Sequence, residues 1–234
     1  MGPFPDGVYR AQFPYYYRNP EGMPQEAALD YYLNSIKDVF EQCGPADSIA
    51  AIVVEPLQGE GGFIPAPIEW VKAVRKICDE NGILLVADEV QTGFCRTGRM
   101  FATQYWEEAG VQPDILATAK SIAAALKTIE IMERDDLAGC SCEIGEKVSK
   151  RFNEWKEKYP VIGDVRGLGG MIGLEFVKDQ KSKEPYPEFS AAVISGCAKK
   201  GLMIEGAGTY GNVIRFLAPL VMTDEQLEAG LDIY

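Results

Sequence analysis

Two different spacings of apolar residues run along this chain, and together they predict its elements. Unbroken apolar runs at residues 49–54 and 83–87 are the length of buried strands, and a third short run covers residues 114–118. Between the first two, residues 68–80 place Val71, Val74, Ile77 and Cys78 on one helical face, with Pro67 before the helix and Asn81-Gly82 after it. Upstream, Leu29, Tyr32, Leu33, Ile36, Val39 and Phe40 give residues 27–42 the same helical spacing, stopped by Gly44 and Pro45. Residues 1–24, rich in Pro, Gly and Tyr, carry neither period and read as an extended loop. Beyond residue 118, helical patterns at about 105–109, 123–133, 143–159, 189–200 and 223–232 alternate with short strand patterns at 161–165, 171–177, 202–205 and 213–217. That mixed tail predicts an α+β C-terminal small domain, residues 126–234, after a mainly parallel α/β domain, residues 1–125.

A strand, helix, strand sequence in one sheet makes the two strands parallel, so their carboxyl ends lie on one edge. Ligands of open α/β sheets sit at that edge. The run 49–54 ends in Glu55, the run 83–87 ends in Asp88, and the third is followed by Lys120. Three strand ends thus deliver two carboxylates and an amine to one place. After Glu55, glycines at 59, 61 and 62 allow a sharp turn or a close backbone approach to a ligand.

Composition narrows the chemistry. The chain has 234 residues, 47% hydrophobic and 25% charged, enough for a real core. Its net charge of -12 opposes nucleic acid and anionic membrane surfaces as partners. The sequence shows no secretory leader and no apolar run long enough to span a bilayer, which predicts a cytoplasmic protein. The six cysteines form no C-x-x-C pair and read as reduced thiols. With no histidine at all, Ser-His-Asp and Cys-His catalysis and His-ligated metal sites are excluded within the chain. No metal is expected.

Two motifs lead nowhere. Gly206, Gly208 and Gly211 satisfy G-x-G-x-x-G, but a strand-like N-V-I-R-F-L follows where a dinucleotide site needs a helix. The acidic strand end at Asp88-Glu89 would suit an ATPase, yet the phosphate loop G-x-x-x-x-G-K-[ST] is missing from the sequence.

A lysine beside an acidic strand end matches pyridoxal phosphate chemistry, in which lysine bonds a carbonyl and a carboxylate partners the pyridinium nitrogen. Three long motifs make the resemblance specific: E-P-L-Q-G-E-G-G-F-I-P-A, L-L-V-A-D-E-V-Q-T-G-F-C-R-T-G-R-M-F-A and P-D-I-L-A-T-A-K-S-I-A. In that order they resemble the core of class III pyridoxal-phosphate aminotransferases. The tail segments V-R-G-L-G-G-M-I-G-L-E-F and G-L-M-I-E-G-A-G-T-Y-G-N-V-I-R-F-L-A-P-L are similar to the same family, and within it to the 4-aminobutyrate aminotransferases.

The resemblance implies a fold type I transferase, a homodimer, and pyridoxal 5′-phosphate as cofactor. It implies that Lys120 holds the cofactor covalently and, once freed, moves the substrate proton. Asp88 would keep the pyridine nitrogen protonated, Val90 would pack on the ring face, and Gln91 would reach the ring hydroxyl. Arg215 would take the α-carboxylate of glutamate or 2-oxoglutarate, and Glu60 would pair with Arg215 when the substrate lacks one. Glu55 would be the second acidic residue of that substrate pocket. Residue by residue, simpler readings stand beside these: Arg215 as a strand-surface charge, Glu55 and Glu60 as loop carboxylates, Val90 as core.

The chain also departs from the family. It opens in loop sequence, so an N-terminal portion that carries the phosphate-binding turn and an aromatic stacking on the ring is expected upstream. After Ala123 the family continues with G-G-x-P-L-S and a G-T-Y-G-G-N-P-like segment, whereas this chain steps directly to A-A-L-K-T-I-E-I-M-E-R. The expected reaction of the full-length relative is transfer of an amino group from 4-aminobutyrate to 2-oxoglutarate, giving succinate semialdehyde and glutamate. An acetylornithine or ornithine aminotransferase, or a non-catalytic remnant of the family, remains the alternative.

Overall fold

The helical and strand periods become elements at nearly the expected places. The computed structural model describes residues 6–118 and 122–234, with the side chains of Gln25 and of residues 122–126 outside that description. In chain order the elements are α1 (Gln25–Gln42), β1 (Ala51–Val54), β2 (Leu57–Gln58), β3 (Ile64–Pro65), α2 (Ile68–Asn81), β4 (Leu84–Asp88), α3 (Gln104–Glu108) and β5 (Ile115–Ala117). They continue with α4 (Ile122–Arg134), α5 (Leu137–Lys158), β6 (Ile162–Leu168), β7 (Met171–Phe176), α6 (Pro187–Lys199), β8 (Glu205–Ala207), β9 (Val213–Leu217) and α7 (Asp224–Leu231). Among the described residues no helix is long and apolar enough to cross a membrane.

The chain forms two compact units: residues 1–54, 66–87 and 106–116, and residues 55–65, 88–105 and 117–234. In the first, β1 and β4 are parallel with Ala51 opposite Leu84 and Val54 opposite Ala87, and β5 lies beyond β4 in the order β1-β4-β5. One face of the β1-β4 pair carries Val54, Leu85 and Ala87 into a core completed by Tyr32 and Ile36 of α1 and by Trp70, Val71, Val74 and Cys78 of α2. These helical residues recur every three or four positions, which is why one face of each helix is buried. On the other face Val53 and Leu84 are exposed, although a parallel sheet is normally covered on both sides. Gly82 ends α2 in the left-handed conformation at φ 67°. There its N–H and that of Ile83 reach back to the Cys78 carbonyl, a C-terminal cap that glycine makes without strain.

Asp114 fixes the start of β4. Its Oδ2 accepts from the Leu85 amide at 2.7 Å and from Arg75 Nη1 at 2.6 Å, and its own amide donates to the Leu85 carbonyl at 2.8 Å. The Arg75 guanidinium and the Leu85 amide hold its carboxyl below the usual carboxylate range.

The second unit is built on an antiparallel sheet in the order β6-β7-β9-β8. Every residue of β7 is buried. Ile172, Leu174 and Phe176 meet Ile144, Val148 and Phe152 of α5 and Leu227 and Leu231 of α7 in one core. Met171 packs with Leu57 and Phe63 of the β2-β3 segment in another.

Three local expectations are corrected. Helix α5 begins at Leu137, not near Glu143, because Asp136 caps it by accepting from the Gly139 amide. The strand expected at residues 202–205 forms instead at Glu205–Ala207, where Glu205, Gly206 and Ala207 pair with Arg215, Ile214 and Val213. The Leu202 amide is already committed to the Cys197 carbonyl at the end of α6. The loop after Glu55 contains a short hairpin, Leu57 opposite Pro65 and Gln58 opposite Ile64.

Candidate active site

Two strand ends and one hairpin supply the described part of the site. Asp88 is the last residue of β4, and its Oδ1 accepts from the Val90 amide at 3.0 Å. Glu55 follows β1 directly, and its Oε2 accepts from the Gly59 amide at 2.8 Å. Burial pushes the Glu55 carboxyl above its usual range, against the Gly59 hydrogen bond, and the negative charges of Asp88 and Glu60 add to the rise. Asp88 is therefore near enough for its charge to act on Glu55, as the parallel pairing of their strands requires. Lys120 lies outside the described residues.

The residues after Asp88 leave two surfaces unsatisfied. Val90 is 45% exposed, an apolar side chain in contact with solvent beside a carboxylate. Gln91 Oε1 is buried and accepts no hydrogen bond from the described residues, a cost that buried polar atoms rarely bear without a partner. Gly59 gives that amide its room: a Cβ at position 59 would lie 1.5 Å from Gln91 Oε1. An aromatic ring bearing a hydroxyl and a basic nitrogen would meet an apolar face, an unused amide and a carboxylate here. The residues present fit the ring of pyridoxal phosphate.

Sequence reasoning missed how this loop is held. Glu89, fully buried, accepts from the Thr92 hydroxyl, the Ala102 amide at 3.0 Å and the Thr103 amide at 2.6 Å. Its own amide donates to the Ala117 carbonyl at 2.8 Å. One carboxylate thus closes the loop of residues 89–103 and fixes the backbone next to Asp88. The D-E pair in the sequence offered the signal, but only tertiary closure shows which carboxylate turns inward.

Arg215 projects from β9 and is largely buried. Its Nη1 pairs with Glu60 of the hairpin, its Nη2 donates to Glu205 Oε2 at 2.5 Å, and its Nε is buried without an acceptor among the described residues. Burial disfavours the charge, yet the Glu60 and Glu205 carboxylates hold the guanidinium above its ordinary range. Glu60 is kept in reach by its backbone, whose carbonyl accepts from the Gly208 amide at 2.9 Å. The hairpin is anchored by Arg166, which donates from Nε to the Gly62 carbonyl at 2.9 Å and from Nη1 to the buried Glu175 at 2.6 Å. Asn212 Nδ2 completes that support by donating to Glu175 Oε1 at 3.3 Å and to the Phe176 carbonyl at 2.7 Å. The structure therefore brings Glu60 to Arg215 and Glu55 to Asp88, and adds Glu205, which the sequence did not single out.

Comparison with known proteins gives the same direction. The family model for aminotransferase class-III matches residues 1–125 and 121–234, two stretches that meet where the sequence steps past Ala123. A probable 4-aminobutyrate aminotransferase of Bacillus subtilis is 38% identical over 268 residues, covering 100% of this chain and 61% of the relative. The 5-aminovalerate aminotransferase DavT of Pseudomonas putida is 39% identical over 268 residues, covering 100% of this chain and 60% of the relative. Both aligned spans exceed the 234 residues of this chain, so each relative has internal residues without a counterpart here. The chain spans about three fifths of the length of these curated relatives. Among solved structures, an amine transaminase from an uncultivated Pseudomonas species in its PLP-bound form superposes with a TM-score of 0.82 at 29% identity, over 94% of this chain and 59% of that one. The fold is that of fold type I transferases.

Proposed function

Because the chain belongs to the class III aminotransferase family, we propose that the protein it forms part of transfers the amino group of 4-aminobutyrate to 2-oxoglutarate, giving succinate semialdehyde and glutamate. Pyridoxal 5′-phosphate, the cofactor of this family, supplies when bound an electron sink for breaking bonds at the amine-bearing carbon. In this reading Lys120 binds it covalently and, when released, carries the proton to and from that carbon. Asp88 keeps the pyridine nitrogen protonated, since a carboxylate at short range favours the charged ring. Val90 covers one ring face, and Gln91 turns its unused amide to the ring hydroxyl. Residues 1–125 then form part of the cofactor domain and residues 126–234 the small domain, in a cytoplasmic homodimer whose only other ligands are the amino donor and the 2-oxo acid.

One observation carries the substrate reading: Arg215 is paired with Glu60, a carboxylate from a different element. A substrate without an α-carboxylate leaves that pair intact, so no buried guanidinium is left uncompensated. Glutamate or 2-oxoglutarate displaces Glu60 and takes Arg215 in a bidentate contact. Glu55, held by the Gly59 amide, supplies the second acidic group of the pocket. An ornithine-type donor that reacts at its δ-amino group likewise has no carboxylate on the reacting carbon, so the Glu60-Arg215 pair supports ω-amino donors as a class, 4-aminobutyrate among them. The 5-aminovalerate relative favours a second reading within the same logic, a longer ω-amino acid that also lacks an α-carboxylate.

Single-turnover rates of the two half-reactions, followed by cofactor absorbance in the full-length protein, test this. Arg215→Ala is expected to slow the 2-oxoglutarate half by roughly thirtyfold or more, the cost of truncating one partner of a buried charge pair, and the 4-aminobutyrate half far less. Equal losses in both halves would overturn the assignment.

A further inference from the structure

Arg215 has a second carboxylate that the substrate exchange does not use. Glu205 sits directly opposite Arg215 across the β8-β9 pair and accepts from its Nη2 at 2.5 Å. Cross-strand partners in an antiparallel pair share one face of the sheet, so this contact is fixed by register and does not depend on the hairpin that brings Glu60. Removing Glu60 therefore leaves Arg215 still neutralised. A ligand carboxylate that takes the place of Glu60 gains Nη1 and finds Nε without an acceptor among the described residues, but Nη2 remains committed and a negative charge stays beside it.

We propose that Glu205 is a specificity-determining residue: by holding Arg215 from the neighbouring strand it weakens the site for ligands with an α-carboxylate and leaves ligands without one unaffected. The inference rests on the reading of Arg215 as the α-carboxylate receptor. The Glu205 side chain is 70% exposed, so its field is partly screened by solvent, and the effect is graded, not absolute. One negative charge within a few ångströms of the incoming carboxylate, in a site open to water, changes affinity by about threefold to tenfold. Added salt screens this contribution, and the difference shrinks within a range of about 1 M.

The test is equilibrium binding by titration calorimetry in the cofactor-loaded full-length protein, with glutarate as the dicarboxylate and butyrate, which has no amine to react, as the ligand lacking an α-carboxylate. In Glu205→Gln, glutarate is expected to bind about threefold to tenfold more tightly at low salt, with butyrate changed less than about twofold. Arg215→Gln is expected to lose most glutarate affinity, and Glu60→Gln to gain it. If Arg215→Gln and Glu60→Gln both leave glutarate binding unchanged, the reading of the receptor itself is wrong. If they behave as expected while Glu205→Gln binds glutarate like the wild type, or tightens both ligands equally, the role given to Glu205 is overturned on its own.

Discussion

Glu89 offers the sharpest test of how the loop beside Asp88 is held. Replacing it by glutamine keeps the side-chain volume but removes the charge and one of two acceptor oxygens. The Thr92 hydroxyl can turn to accept from the new amide, but the Ala102 and Thr103 amides cannot. One of them then loses its acceptor in a buried site, costing about 1–3 kcal/mol, and the other exchanges a charge-assisted bond for a neutral one, costing about 1 kcal/mol more. Relief from burying a charged group offsets part of this. A net local loss of about 2–4 kcal/mol is expected. Hydrogen exchange of the Ala102 and Thr103 amides reads it directly and does not require the whole chain to unfold in one step. Their exchange should accelerate by roughly thirtyfold or more in Glu89→Gln, since 1.4 kcal/mol is a factor of ten. Acceleration below about fivefold at both amides, less than about 1 kcal/mol, would refute the claim that this carboxylate closes the loop.

Other perturbations read other parts of the structure. The Glu55 carboxyl is raised by burial and by Asp88 and Glu60, so its charge opposes folding: its favourable contribution is full below the ordinary value of 4.5 and is lost as pH rises through the raised value. Glu55→Gln should therefore gain stability over wild type in urea titrations at pH 7 and lose that advantage near pH 4, whereas a constant difference at both pH values would contradict the shift. Asp114, depressed by Arg75 and the Leu85 amide, works in the opposite sense, stabilising at neutral pH and losing its effect as pH falls through its lowered value. Asp114→Ala should lower the thermal midpoint by roughly 2–4 °C at pH 7, with a smaller effect in strong acid; an unchanged midpoint at pH 7 would count against it. Gly59→Ala drives a Cβ into Gln91, a flexible side chain that can swing away, so fluorescence titration should show cofactor affinity falling by roughly tenfold, a loss near 1.4 kcal/mol, with little change in the thermal midpoint. Unaltered affinity would remove Gln91 from the cofactor site.

What could be read from the sequence followed the strength of local patterning. The runs ending at Val54 and Ala87 are uninterrupted, so their parallel pairing and the position of Asp88 and Glu55 at the same strand edge were legible. The spacing of Tyr32 and Ile36, and of Val71, Val74 and Cys78, marked the helical faces that pack on them. Glu205 was not legible: its strand is three residues long with a glycine in the middle, and its pairing with Arg215 depends on the turn through residues 208–212. The first turns of α5 were hidden because Gly139 and the small Ser141 mask an apolar stripe that begins at Leu137. The inward turn of Glu89 and the Arg166-Glu175-Asn212 support of the hairpin depend on contacts far apart in sequence, and no local period reports those.

In the proposed reading, Lys120 of this chain binds pyridoxal 5′-phosphate and Asp88 partners its ring nitrogen. The most direct measurement adds the cofactor to the protein, reduces with borohydride, digests, and locates the pyridoxyl mass by peptide mass spectrometry. A single modified peptide is expected, with the label on Lys120, lost in Lys120→Ala. A label on another lysine, or an adduct of unchanged yield in Lys120→Ala, would contradict it.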